Sequence, residues 1–163
     1  MLDVEQFQVY VVRKVLSFLD DEIPYSLGAE QLLVATAIQE SRLRALQQYG
    51  GGPARGVFQM EPPTFNDLFD NFLKHRIGLD AKVRALLAPW PTPLDQLRTN
   101  LLFAAAMARI LYFRAPEPMP LAGDLEGMGQ LYKKRYNTPL GAATVKQFID
   151  NAESNGWPFL QSI

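Results

Sequence analysis

A mainly α-helical single domain is what the sequence predicts, on three observations. Apolar residues recur at three- and four-residue steps through most of the chain, and residues that cap helices stand just ahead of those stretches. No run of alternating β-branched residues is long enough for a strand, so the only β structure expected is a small hairpin within residues 50–60. A chain of 163 residues can bury a core without staples, and residues 1–163 read as one domain.

Val4, Phe7, Val11, Val15, Phe18 and Leu19 mark a first amphipathic helix that ends near Asp20 and Asp21, and Ile23-Pro24-Tyr25 breaks it. Ser26 is placed to cap a second helix. Leu32, Leu33, Ala35, Ala37 and Ile38 make that helix apolar on several sides, as a central core helix is, and Glu40 falls at its C-terminal end. Gly50-Gly51-Gly52-Pro53 forces a loop. Thr64 is expected to cap a third helix, with Asp67 as its capping-box partner. A short helix over 79–87 follows, and Pro89-Trp90-Pro91 stops the chain.

Thr92, Pro93 and Asp95 form a start signal for one long, alanine-rich helix reaching about Arg114. Prolines 116, 118 and 120 stiffen a connector to a helix over 125–135. The loop 136–141 and a last helix over 144–152 close the chain.

Composition narrows the chemistry. The absence of cysteine excludes disulfides and thiolate metal sites, and a single histidine, His75, excludes a two-histidine zinc hydrolase; neither metal nor cofactor is expected. The N-terminus is acidic where a secretory signal would be basic, and the longest apolar run, 101–108, is too short to span a bilayer. A net charge of −1 gives no general pull toward nucleic acid or an anionic wall. The one dense basic run, Lys133-Lys134-Arg135, reads first as a solvated last helical turn, with the holding of an anionic glycan beside Tyr136 as the alternative.

The most specific pattern is Glu40-Ser41 at a helix end followed across a loop by Gly56, Gln59, Pro62 and Thr64 in Gly-x-x-Gln-x-x-Pro-x-Thr spacing. This pair of motifs resembles the lysozyme-like lytic transglycosylases and their relatives the goose-type lysozymes. Asn100, opening an alanine-rich helix, and the pair Tyr136-Asn137 are similar to two further family motifs, so the resemblance runs over roughly residues 32–148 and leaves 1–25 uncovered. After Tyr136-Asn137 the family has a small residue and glycine, whereas this chain has Thr138-Pro139-Leu140-Gly141.

The resemblance implies a lysozyme-like fold, a muramidase cutting the β-1,4 bond of peptidoglycan glycan strands, and Glu40 as acid and base. It implies substrate contacts from Ser41, Gly56, Gln59, Tyr136 and Asn137. In the lytic transglycosylases one glutamate protonates the leaving oxygen and then deprotonates the muramic acid 6-hydroxyl, so the 1,6-anhydro product forms without water. Physical chemistry adds reasons of its own. A helix C-terminus disfavours a carboxylate, and apolar neighbours such as Phe58 and Tyr136 would desolvate it. Gln59 can donate and accept hydrogen bonds to sugar hydroxyls or an acetamido group. Tyr49, Phe58 and Trp90 are further candidates for sugar contact, against the plainer reading that they pin loops or fill the core. Glu61 and Asp67 follow the second motif as candidates for the second carboxylate that a hydrolase would need, and the capping reading of Asp67 leaves Glu61 first.

Several phrases, such as Gly-Gly-Gly-Pro-Ala-Arg-Gly-Val-Phe-Gln-Met-Glu-Pro, also resemble small proteins of tailed bacteriophages. That likeness implies synthesis in a host cytoplasm without a signal peptide and a place in the virion, beside other phage virion or tail proteins. Two alternatives accompany it: a catalytically weak structural protein of the tail that keeps the lysozyme-like fold, and an endolysin serving host lysis. A nucleic-acid-binding protein ranks third, because the basic run carries no interleaved aromatic platform.

Overall fold

The structure, a computed structural model, describes residues 1–138 and 140–161. It is mainly helical, and its β structure among the described residues is limited to two isolated antiparallel bridges, Gln47 with Arg55 and Arg55 with Met60. The expected hairpin is reduced to this pinch, because the glycines and Pro53 leave too few paired residues to extend a ladder.

Helix α1 runs through the segments Val4–Phe7, Gln8–Val12 and Arg13–Phe18, the middle one a wide π turn. Asp3 caps it by accepting from the Gln6 N–H at 2.8 Å. The extra residue of the π turn rotates the buried face away from an ideal 3.6-residue pattern. Val12 and Leu16 therefore join Phe7, Val15 and Leu19 inside, while Phe18 turns outward under the Lys82 ammonium.

Helix α2, Leu27–Ser41, is the central helix expected, buried without a break from Gly28 to Ile38. Ser26 caps it, its Oγ accepting from the Ala29 N–H at 3.1 Å. Burial on all sides leaves polar side chains to be satisfied internally. Glu30 receives the Arg13 guanidinium at 2.7 Å, the Gln8 amide at 2.6 Å and the Tyr25 hydroxyl at 2.7 Å, which anchors α2 to α1.

Helix α3 spans Pro62–Asn71. Thr64 is thus inside the helix and not its cap: Pro62 and Pro63 occupy the first positions, where a missing N–H costs nothing. Asp67 is likewise no capping-box partner. Its carboxylate accepts from Asn71 at 2.6 Å and pairs with Arg114. Helix α4, Ile77–Ala85, follows.

The single long helix expected up to Arg114 is two, α5 (Gln96–Thr99) and α6 (Leu101–Arg114). Asn100 separates them in an extended conformation. Its Oδ1 caps α6 by accepting from Phe103 N–H at 3.1 Å, and its amide donates to the Leu86 carbonyl at 2.8 Å, so a satisfied side chain outweighs helix continuity. Alanines 104, 105, 106 and 108 let α6 lie close beside α2 in the core.

Helix α7, Leu125–Leu131, passes into a second wide segment, Tyr132–Asn137, and α8, Val145–Glu153, packs on both α2 and α7. Thr144 and Gln147 form a full capping box at the start of α8. Pro139, which marks the departure from the resembled loop, lies outside the described residues. Among the described residues no helix is long and apolar enough to cross a membrane.

Candidate active site

Helix α2 stops where the site begins. Arg42 and Leu43 both adopt left-handed backbone conformations, which turn the chain sharply after Ser41 and leave Glu40 in the last turn. The segment beyond the glycine loop then folds as a tight turn. Arg55 and Met60 exchange backbone hydrogen bonds of 3.0 and 3.1 Å, closing a four-residue loop from Gly56 to Gln59. Val57 and Phe58 point into the core, while Gln59, held at φ +48°, points outward.

Two other motifs grip this turn through its carbonyl oxygens. Ser41 Oγ donates to the Val57 carbonyl at 2.7 Å, and Tyr136 Oη donates to the Phe58 carbonyl at 2.6 Å. Pieces of chain far apart in sequence are thereby locked around one cleft. Its volume is about 640 Å³, and Glu40, Gln59, Glu61, Tyr136 and Asn137 all line it. Tyr49, four-fifths exposed, stands in the same lining, as do Gln48 and Thr64.

Glu40 is the chemically unusual group. Burial pushes its carboxyl from the usual 4.5 up to about 7, opposed by a hydrogen bond from the Tyr132 hydroxyl to Oε1 at 2.6 Å. An acid with that pKa holds its proton about half the time near neutral pH, as a group that must give and then take a proton requires. Tyr132 belongs to a stack of rings, lying between Phe148 at 4.8 Å and Tyr136 at 6.0 Å, with Tyr112 on the far side of Tyr136 at 5.4 Å. Burial and the nearby Glu40 charge raise the Tyr132 phenol, so it remains a donor to the carboxylate.

The sequence pattern points to Tyr136 beside the acid, whereas the hydroxyl that reaches Glu40 is that of Tyr132, one helical turn earlier. The i, i+4 spacing of the two tyrosines is the signal that could have found it. Replacing Tyr132 by phenylalanine removes the donor that favours the charged form. The Glu40 titration should move up by about one to two pH units, since hydrogen bonds to charged groups contribute about 1.5–3 kcal/mol. Carboxyl NMR titration of both proteins measures this, and an unmoved titration would show that the Tyr132 contact is energetically idle.

Several expected contacts lie elsewhere. Ser41 is buried, with its hydroxyl spent on the Val57 carbonyl and accepting from the Leu43 N–H at 3.2 Å, so it joins motifs and does not touch the cleft. Gly56 is also inside. At φ +76° its backbone lies so close to α5 that a Cβ would overlap the Leu97 carbonyl oxygen. Phe58 packs against Phe7, ring centres 6.0 Å apart, on the core side of the turn together with Val57. Trp90 is four-fifths exposed on a separate shallow groove with Ala88, Pro91 and Gln96.

Gln59 donates its amide to the Gly56 carbonyl at 2.8 Å, and its amide oxygen takes no hydrogen bond among the described residues. Asn137 Oδ1 accepts from Lys133 Nζ at 3.0 Å, an ammonium that also donates to the Gly141 carbonyl at 2.6 Å. Lys134 and Arg135 both pair with Glu117, so the basic run is occupied by intramolecular partners. Glu61 is exposed at the N-cap of α3, and its carboxylate has no protein partner among the described residues. No trio of described His, Cys, Asp or Glu residues could hold a metal ion.

The chain matches no family model, no curated protein and no solved structure.

Proposed function

We propose that this cleft is the active site of a lysozyme-like, peptidoglycan-cleaving muramidase, a lytic transglycosylase in which Glu40 is both acid and base. The observation that carries the proposal is the Glu40 carboxyl, shifted to about 7 and opening on a cleft shared with Gln59 and Asn137. Protonated Glu40 donates to the glycosidic oxygen as the bond from muramic acid C1 breaks. The resulting carboxylate then removes the proton of the 6-hydroxyl as that oxygen bonds to C1. The proton count closes on one residue, so no second carboxylate and no water are consumed.

Gln59 and Asn137, whose amide oxygen and amide N–H groups respectively have no partner among the described residues, supply neutral partners for hydroxyl and acetamido groups. Tyr49 offers an exposed ring at the rim for stacking on a sugar. Glu61 in the same lining supports a second reading, a hydrolase in which it serves as nucleophile, stabiliser or base.

A zymogram on purified cell wall tests the activity. Clearing is expected; its absence on walls of several chemotypes would favour a structural tail protein retaining the fold. We further propose a virion location, with synthesis in the host cytoplasm. A net charge of −1 provides little long-range attraction to an anionic wall, and delivery on a particle supplies local concentration instead. Mass spectrometry of purified particles should detect the chain. Its absence, together with lysis when it is co-expressed with a holin, would favour the endolysin reading.

A further inference from the structure

The Tyr132 hydroxyl that meets Glu40 is itself held from behind. Asn151, on α8, donates its amide N–H to Gln39 Oε1 at 2.7 Å, a contact that spans 112 residues of chain. With its oxygen turned to α8, the Gln39 side chain presents its NH2 group to the Tyr132 hydroxyl, where it acts as a donor and favours the ionised phenol, against burial and the Glu40 charge. The Tyr132 hydroxyl in turn donates to Glu40 Oε1 at 2.6 Å. Every link thus runs one way, from α8 through the last turn of α2 to the acid. Glu40 Oε2 stands outside this chain of donors. It takes no hydrogen bond among the described residues, yet it is not sealed from solvent, and Glu40 lines the cleft.

A phenol has one proton to give, and while its oxygen accepts from Gln39 on one side that proton goes to the other. We propose that Asn151 and Gln39 are positioning residues that aim the Tyr132 O–H at Oε1 and so keep the proton of Glu40 on Oε2, facing the cleft. With the Gln39 amide turned over, its oxygen would draw the Tyr132 proton away, and a protonated Glu40 would donate back to the phenol and hide its proton from a substrate. The use made of that proton rests on the muramidase reading, whereas the chain of donors is a property of the fold. Other groups facing the carboxyl are the buried phenols of Tyr112 and Tyr136, both raised well above their ordinary range by burial, Glu61 in the lining and the Lys133 ammonium at the wall. The remaining charges of α6 and α8 point elsewhere: Arg109 to the Phe113 ring, Arg114 to Asp67 and Lys146 to Asp150.

Asn151→Asp in the full chain is the test. A carboxylate at that position accepts only, so the Gln39 amide turns to offer its NH2 group to it, and the chain of donors reverses. The Glu40 titration, followed by carboxyl NMR, should rise by about one to two pH units, as for loss of the Tyr132 donor. The added charge alone also raises it, so the same substitution is made in Gln39→Met, where no amide is left to turn and most of the rise should vanish. Asn151→Ala, which only frees the amide, should give a smaller rise and serves if Asn151→Asp does not fold. A rise of equal size with and without Gln39 is a charge effect and overturns the proposal, as does an unmoved titration in both Asn151 variants. The pH optimum of wall cleavage should move up with the titration, and a fixed optimum overturns the positioning role. A titration that moves in a protein whose wild type releases no wall fragments keeps the chain of donors and defeats the muramidase reading; cleavage by the wild type with an unmoved titration keeps that reading and defeats the proposal.

Discussion

Replacement of Glu40 by glutamine is expected to leave a folded protein whose wall-cleaving rate is lower by about a hundred- to ten-thousand-fold, the usual contribution of acid–base catalysis. Glutamine keeps the size of the side chain and can still accept from the Tyr132 hydroxyl, so the ring stack beneath it need not move. What is lost is the titrating proton. Release of dye-labelled wall fragments measures the rate, and turnover within threefold of wild type would remove Glu40 from the chemistry.

The same variant carries a stability signature with a defined sign. The folded protein raises the Glu40 carboxyl from 4.5 to about 7, so between those values it binds more protons than the unfolded chain. Wild-type stability should therefore fall as pH rises through that window, by up to about 3 kcal/mol at pH 8, and be unaffected below pH 4.5. Glu40→Gln should lack this decline. Urea denaturation of both proteins at pH 5 and pH 8 gives the comparison, and parallel behaviour would mean that Glu40 is not desolvated.

Gly56→Ala is the second large effect. The residue needs a left-handed backbone at φ +76°, and a methyl group would collide with the Leu97 carbonyl, a backbone atom that cannot rotate away. Left-handed strain of about 1–2 kcal/mol and overpacking of about 1–3 kcal/mol give a loss of about 2–5 kcal/mol. For a domain of this size that lowers Tm by about 5–15 °C. Gly50→Ala is the control. Its φ is +79°, but nothing lies within 4 Å of the added carbon, so only the conformational cost applies. Equal Tm losses in the two variants would show that the approach to Leu97 carries no weight. Because the Gly56 turn also presents Gln59, activity should fall with Gly56→Ala and not with Gly50→Ala.

The contrast between these glycines shows what was legible beforehand. A helix start governed by local chemistry could be read directly at Ser26, which caps α2. The central α2 was legible from its all-round apolar pattern, and Glu40, Gln59 and Asn137 were singled out from motif spacing. The break at Asn100 was not, because it depends on the Leu86 carbonyl, which arrives from another part of the chain. Nor was the π turn in α1, which alters the period that sequence reading assumes. In the site, the motif residues were recognised but their tasks were not separable. Ser41, Gly56 and Phe58 belong to the same short patterns as Glu40 and Gln59, yet they hold the turn from behind while the other two face the cleft. Which side of a backbone a residue faces within a four-residue turn is set by two positive-φ positions, and a spacing rule carries no such information.

Mass analysis of the soluble fragments released from purified peptide-bearing peptidoglycan, by the wild-type protein and by Glu40→Gln, bears most directly on the role given to Glu40. The expected wild-type products end in 1,6-anhydromuramic acid, each 18 mass units (one water, about 18 Da) lighter than the hydrolysed fragment, and the Glu40→Gln digest should contain almost none, following the loss of acid–base catalysis. Fragments with ordinary reducing ends would contradict the transglycosylase chemistry and point to Glu61, and anhydro products formed equally by Glu40→Gln would contradict the assignment of the catalytic proton to Glu40.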